Sequence, residues 1–458
     1  MRITIIGAGP GGYETALAAA NKGIEVTLVS AGPLGGTCLN EGCIPTKALC
    51  RTAEVLENCR HASDFGILTE EPKVDFPRVM QRKDEVVEQL RGGIAFLMKH
   101  KLITLLYGKA SFKDAHTVRI VLEDGTETDV ESDYIIVATG SQPASLPIPG
   151  ADAEGVITST DILSLGSIPE RLCIIGAGVI GLEFASVFRS FGSEVTVLEY
   201  CREVLPRFDT DLAKRLKQSL SKKGISIETS AEVKEVVPLV DGSFEVRYMK
   251  KDNLQGVIAD KVLMAVGRRP ALESINFADL GIETTRRGVC VNAYMQTNVP
   301  SVYAVGDITG GMMLAHAATF QGLRALNHIL AGQPAEGKVD AIDLELVPAA
   351  VFTSPEAAMV GMTEDQCKAE GRDCICKKSF FRANGKAVSM GEPDGYCKIV
   401  ADAADGRILG CHLFGPHAAD LIHEMTAWMN KGATLGDMAA MVHAHPTLDE
   451  VLQAAAHS

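Results

Sequence analysis

The chain opens with an apolar run at residues 3–6, turns at Gly7-Ala8-Gly9-Pro10-Gly11-Gly12, continues through an alanine-rich stretch to residue 22 and returns to an apolar run at 24–29. Short apolar runs bounded by glycines, on either side of a stretch with helical spacing, predict the strand, turn, helix and strand of a parallel sheet. The order returns at residues 172–175, Gly176-Ala177-Gly178-Val179-Ile180-Gly181, a helix to residue 191 and a strand over 194–198. Between the two copies, residues 49–60 and 79–100 have amphipathic helical spacing, with Gly92-Gly93 as a break, and 103–137 predict short strands. The last of these runs into Thr139-Gly140-Ser141, and Pro143, Pro147 and Pro149 mark a linker. Later, residues 262–266 end in Gly267, residues 297–307 form another buried strand closed by Gly306-Asp307, and a helix follows over 315–330. From residue 342 the pattern changes to strands at 349–352, 396–400 and 408–414, then helices at 418–431 and 435–441.

This pattern predicts an α/β chain with two Rossmann-like dinucleotide-binding domains plus a C-terminal α+β domain. A GxGxxG between a strand and a helix has a specific job for each glycine. Gly7 and Gly176 make the turn, Gly9 and Gly178 let a pyrophosphate approach the backbone, and Gly12 and Gly181 let helix and sheet pack. The residue 23 positions after the first glycine is Ser30 in the first copy and Glu199 in the second. Glu199 is suited to accept from a ribose diol and to repel a 2′-phosphate, which favours NAD over NADP, whereas a serine cannot offer two acceptor oxygens side by side. Arg202 and Arg207, nearby, read as solvated charges. Asp307 at its strand end is either a helix cap or a holder of the ribityl or phosphate region of a flavin.

At 458 residues the chain is long enough for about three domains. A net charge of -14 argues against nucleic acid or an anionic membrane as the main partner. No apolar run reaches membrane-spanning length and the first residues enter a strand directly, so a cytoplasmic location is expected. There, most of the 12 cysteines are expected to be reduced, which gives weight to one special pair. That pair lies in Gly35-Gly36-Thr37-Cys38-Leu39-Asn40-Glu41-Gly42-Cys43-Ile44-Pro45-Thr46-Lys47. The proline places Cys43 at a helix N-terminus, where unpaired N–H groups, the helix dipole and Lys47 one turn on all favour a thiolate. Half of a metal site would also permit this spacing, but Cys50, Cys59 and His61 do not complete a ligand set, so no metal is expected and a redox disulfide is. Near the C-terminus, His443-Ala444-His445-Pro446-Thr447-Leu448-Asp449-Glu450 sets a carboxylate five residues from His445, a pairing that fixes the tautomer and basicity of a general base.

Residues 35–47, both GxGxxG units, residues 297–307 and residues 443–450 together resemble the pyridine nucleotide-disulfide oxidoreductases over essentially the whole chain. The resemblance implies FAD in the first site, NAD in the second, and a homodimer in which His445 and Glu450 of one subunit complete the dithiol site of the other. It divides the chain into an FAD-binding domain (1–145, returning at 270–340), an NAD-binding domain (146–269) and an interface domain (341–458), so the C-terminal α+β domain is a dimerisation domain. It assigns Cys38 to exchange with substrate and Cys43 to contact the flavin, pairs Lys47 with Glu183 beside the flavin ring, and gives Asp307 to the cofactor. Thr139, Gly140 and Gly267, at the ends of their strands, join the cofactor-binding set. The implied reaction is oxidation of protein-bound dihydrolipoamide with NAD, the partner being the lipoyl domain of a 2-oxoacid dehydrogenase or glycine cleavage complex. The alternative is another NAD(P)H-dependent flavin disulfide reductase, of glutathione- or mercuric-reductase type. Three positions depart from the family pattern: Ser30, the charged Glu41 between the cysteines, and the weakly charged Ala317-Ala318-Thr319-Phe320-Gln321.

Overall fold

The computed structural model of the chain describes residues 1–332 and 339–458. They form two compact units: residues 1–48, 80–144 and 268–344, and residues 49–79, 145–267 and 345–458.

The first unit is built on a seven-stranded sheet in the order Val302–Ala304, Tyr134–Val137, Arg2–Ile6, Glu25–Ser30, Ile103–Phe112, Thr117–Leu122 and Glu127–Glu131. The first five strands run parallel, with Ile3 level with both Val26 and Tyr134. The last two extend the sheet as an antiparallel meander. Ile5, Leu28 and Ile136 on the parallel strands are fully buried, as expected of strands covered on both faces. Helices Pro10–Asn21 and Ala315–Ala331 cross closely because glycines and alanines face each other. A Cβ on Gly322 would lie 1.8 Å from Thr15 Oγ1, and one on Gly11 would lie 3.2 Å from Ala318 Cβ. The break expected at Gly92-Gly93 is absent: the helix Phe76–Leu97 is continuous. Neither glycine has a neighbour within 4 Å of its would-be Cβ, and Ile94 and Ala95 pack on the first unit's core directly beyond them, so the apolar stripe holds the helix through the pair.

The second unit carries a five-stranded parallel sheet in the order Ser226–Thr229, Glu194–Glu199, Arg171–Ile175, Lys261–Met264 and Val156–Ile157. An antiparallel meander, Glu232–Pro238, Phe244–Lys250 and Asn253–Ala259, buries Phe244, Val246 and Tyr248. Those three alternate in sequence, the period-two signal of a half-buried strand, which the sequence reading passed over. The chain ends in an antiparallel sheet, ordered Ala349–Val351, Glu356–Gly361, Ile408–Gly415, Tyr396–Asp402 and Cys374–Phe380, with helices Ala418–Asn430 and Glu450–His457. Ile399, Ala401, Cys411 and Leu413 form its core with Ile422, Met425, Val451 and Leu452.

Lys398 lies in that sheet with its side chain 2% exposed. Its ammonium meets three carboxylates: Asp209 at 2.9 Å, Asp211 at 3.1 Å and Glu364 at 2.8 Å. Three donors meet three acceptors, so the buried charge is fully partnered. Asp209 also caps the helix Thr210–Lys222 by accepting from the N–H groups of Asp211 and Leu212. The cluster therefore ties the nucleotide-fold helix to the C-terminal sheet. Burial pushes the Lys398 ammonium down, but the three carboxylates outweigh it and the net shift is upward. Lys378 and then Lys398 hold the Asp211 carboxyl down at about 2, and Lys368 and then Lys398 hold Glu364 at about 2. Carboxyls lowered in the folded state stabilise above their ordinary values and lose that contribution as pH falls toward 2. The melting temperature should accordingly drop between about pH 4 and pH 2. Lys398→Ala should lower the unfolding free energy at neutral pH by about 3–5 kcal/mol in a urea titration, since it strands the buried Asp209 carboxylate.

Candidate functional site

The two glycine turns are alike in detail. Gly7 and Gly176 both have φ of +107°, and a Cβ on either would strike the carbonyl of a crossing strand, 2.2 Å from Ala138 O and 2.4 Å from Ala265 O. A Cβ on Gly12 would come within 1.8 Å of Gly7 O, and one on Gly181 within 2.1 Å of Gly176 O. The middle glycines differ from these in having room: Gly178 has nothing within 4 Å of a would-be Cβ, and Gly9 has only Gly36 Cα at 3.9 Å. The outer glycines are required by the fold, while the middle ones present open backbone at a helix start, where an anion fits.

The dithiol segment is seated on the first turn. Gly35 N–H donates to Ala8 O at 2.8 Å, and a Cβ on Gly36 would lie 2.7 Å from Gly9 Cα. A short helix Gly36–Asn40 carries Cys38, and the helix Cys43–Arg60 begins at Cys43, the N-terminal position expected from Pro45. Asn40 donates to Leu34 O and Gly36 O and accepts from Arg91, and Thr46 Oγ1 donates to Gly42 O, so the bend between the cysteines is fixed from both sides. Both cysteines are thiols, Cys38 half-buried and Cys43 exposed. The hydrogen bond between their side chains, and then burial, push the Cys38 thiol far up, while Lys47 pulls it down.

Three further residues of this unit form a chain of hydrogen bonds at the strand ends. Arg268 donates to Ser141 Oγ at 2.7 Å and to Ser141 O at 2.8 Å, and Ser141 Oγ donates to Asp307. Burial lowers the Arg268 guanidinium against the pull of Asp307, Glu41 and Cys43. Glu41, a departure from the family pattern, thus has a basic neighbour. Gly306 N–H donates to Gln321 Oε1 at 2.7 Å, so an uncharged residue of the weakly charged helix steadies the Asp307 turn. Sequence reading missed Arg268, Ser141 and Gln321. The first two adjoin Gly267 and Gly140 at strand ends, which is the signal that pointed to them. Thr139 Oγ1 is buried without a partner, and Gly140, with φ of +75°, has open space at its Cβ position. An orphaned buried hydroxyl beside open backbone fits a polar ligand such as FAD, and the bare Gly178 turn fits NAD.

In the second unit, Glu199 is buried. It accepts from Ala177 N–H at 2.6 Å and from Cys201 N–H at 2.7 Å, which fixes the carboxylate over the glycine turn. Gly267, φ +113°, lies at the end of this unit's segment 145–267 and is open at its Cβ position. Glu183 is buried and accepts from Phe352 N–H at 3.0 Å. His445 Nδ1 lies 2.9 Å from Glu450 Oε1, and Glu450 Oε2 accepts from Thr447 N–H at 2.9 Å. The Thr447 N–H and then His445 hold the Glu450 carboxyl below its usual range. The His445 side chain is 77% exposed, so the carboxylate fixes one ring nitrogen while the ring faces outward. His443 is instead buried against Glu424, 3.1 Å away.

Residues 1–322 match the family described as pyridine nucleotide-disulphide oxidoreductase, and residues 347–456 match its dimerisation domain. The chain belongs to this family. It is 42% identical to a dihydrolipoyl dehydrogenase of Bacillus subtilis (strain 168), over 99% of this chain and 95% of the relative. It is 40% identical to the dihydrolipoyl dehydrogenase of Geobacillus stearothermophilus, over 99% and 94%. Among solved structures, the HOCl-induced flavoprotein disulfide reductase RclA from Escherichia coli superposes with a TM-score of 0.86 at 30% identity, covering 100% of this chain and 99% of that one. No helix among the described residues is long and apolar enough to cross a membrane, and none of their His, Cys, Asp and Glu side chains form a group of three that could hold a metal ion.

Because Glu199 satisfies two backbone N–H groups, Glu199→Ala should cost about 1–3 kcal/mol in a urea titration, and Glu199→Gln should recover part of it, since the amide retains only one acceptor oxygen.

Proposed function

We propose that the chain oxidises dihydrolipoyl groups carried on a lipoyl domain of a 2-oxoacid dehydrogenase or glycine cleavage complex. It is a dihydrolipoyl dehydrogenase in activity, an oxidoreductase that works with FAD and NAD. The observation that carries the reading is the Cys38–Cys43 thiol pair seated on the first glycine turn, in a chain that matches such enzymes along nearly its full length. We place FAD with residues 1–145 and 270–340, where Gly7, Gly9, Gly12, Thr139, Gly140 and Asp307 would hold it. NAD goes with residues 146–269 at Gly176, Gly178, Gly181, Glu199 and Gly267, and the dimer contacts with residues 341–458. Lys47 and Glu183 are assigned to each other beside the flavin.

When bound, FAD supplies the two-electron link between the dithiol and NAD. The chain's own residues do the sulfur and proton chemistry. Starting from the Cys38–Cys43 disulfide, His445 of the partner subunit takes the proton of one substrate thiol, and Glu450 beside it stabilises the imidazolium that forms. The substrate thiolate attacks Cys38, forming a mixed disulfide and releasing Cys43 as a thiolate at its helix N-terminus. The second substrate thiol attacks the first substrate sulfur and displaces Cys38, its proton passing to the Cys38 sulfur. The product is a cyclic disulfide, and the electron pair rests on the two cysteines.

A second reading, another NAD(P)H-dependent flavin disulfide reductase of glutathione- or mercuric-reductase type, is supported by the likeness to RclA. A carboxylate fixed at Glu199 disfavours the 2′-phosphate of NADPH. The comparison that decides is NAD-linked oxidation of dihydrolipoamide against NADPH-linked reduction of glutathione disulfide; the first should run and the second should not. Cys38→Ser and Cys43→Ser should each abolish dihydrolipoamide oxidation. His445→Gln should slow it by about 10²–10⁴-fold with flavin content unchanged. Robust glutathione reduction with NADPH would sink the reading.

A further inference from the structure

Two copies of one turn within a single chain allow each to serve as the standard for the other. Gly7 N–H donates to Val29 O and Gly176 N–H to Leu198 O, both at 2.8 Å, and both first glycines have the same φ. The copies part at the end of the second strand. Glu199 accepts two backbone N–H groups, from Ala177 and from Cys201 two residues on, and keeps further lone pairs on two adjacent oxygens. Ser30 stands at the same place and does the opposite: its hydroxyl donates its one proton to Gly32 O, two residues on, at 2.8 Å. Ser30 is 4% exposed, and the residues that follow, Ala31-Gly32-Pro33-Leu34, carry no side-chain donor or acceptor.

A ribose diol is held by a pair of acceptors side by side. At Ser30 the proton is committed and a single oxygen remains. We infer that the first dinucleotide site does not read the adenosine ribose, so that it takes a flavin dinucleotide with 2′-deoxyribose as readily as FAD itself. Anchoring falls to the open turn at Gly9 and to the polar groups at Thr139 and Asp307. The inference rests on the placement of FAD in the first copy.

Purified holoenzyme is incubated with excess of an equimolar mixture of FAD and its 2′-deoxyadenosine analogue until flavin exchange is complete, and the retained flavin is identified by mass spectrometry. The wild-type protein should show less than about threefold preference, and Ser30→Glu should shift the ratio toward FAD by about tenfold, the worth of one good hydrogen bond to a charged group. Calorimetric binding of NAD and 2′-deoxyadenosine NAD to the second site supplies the calibration: the wild type should favour NAD about tenfold and Glu199→Ser should lose that preference. A wild-type preference for FAD of threefold or more overturns the inference, and this ratio decides the matter alone if Ser30→Glu does not fold. A folded, flavin-loaded Ser30→Glu protein with an unchanged ratio also overturns it. A purified wild-type protein that carries no flavin overturns the placement of FAD, and the inference falls with it.

Discussion

The constraint on which the first unit's site depends is the approach of the dithiol segment to the glycine turn. With Gly36 so near Gly9 that a Cβ would stand 2.7 Å from the other's Cα, and Gly35 bonded to Ala8 O, the backbone carrying Cys38 is docked on the backbone offered to a pyrophosphate. Glycine is demanded at position 36 twice over, by the contact and by a φ of +56°. The cradle and the thiols therefore share one rigid piece of chain, and neither can shift without the other. Arg91, reaching Asn40 from a distant helix, and Thr46, closing the turn at Gly42, extend that rigidity through the bend between the sulfurs. For a disulfide that must open and close repeatedly, fixed sulfur positions keep the ring-closing thiol at high effective concentration.

What was legible in the sequence was mostly local. Both glycine turns, the helix start at Cys43 and the pairing of His445 with Glu450 follow from spacings of a few residues, where backbone geometry leaves few choices. The continuity of the helix through Gly92-Gly93 was not legible, because two glycines read as a break unless the packing on either side is known. The same holds for Arg268, Ser141 and Asp307, in which Ser141 meets partners 127 and 166 residues away along the chain. The cluster around Lys398 was also hidden. A lysine in an apolar strand looks like an edge residue, and only the helix capped by Asp209 explains its burial.

The electrostatics of the thiol pair also explain why a separate base is required. The contact with Cys43 and then burial raise the Cys38 thiol, while Cys43 stands at a helix N-terminus and within the field of Arg268, a setting that favours negative charge. A thiolate stabilised in this way is a good leaving group and a weak base. In the proposed reaction it would be released readily on attack at Cys38, but it could not also deprotonate the incoming thiol. The proposal gives that task to an imidazole whose orientation is already set. His445 meets this requirement, because Glu450 is itself anchored by the Thr447 N–H and stays ionised well below neutral pH. The carboxylate thus holds the ring in place through one of its nitrogens. The proposed division of labour between a stabilised thiolate and an oriented base rests on the placement of the two charges, and it does not depend on which dithiol is oxidised.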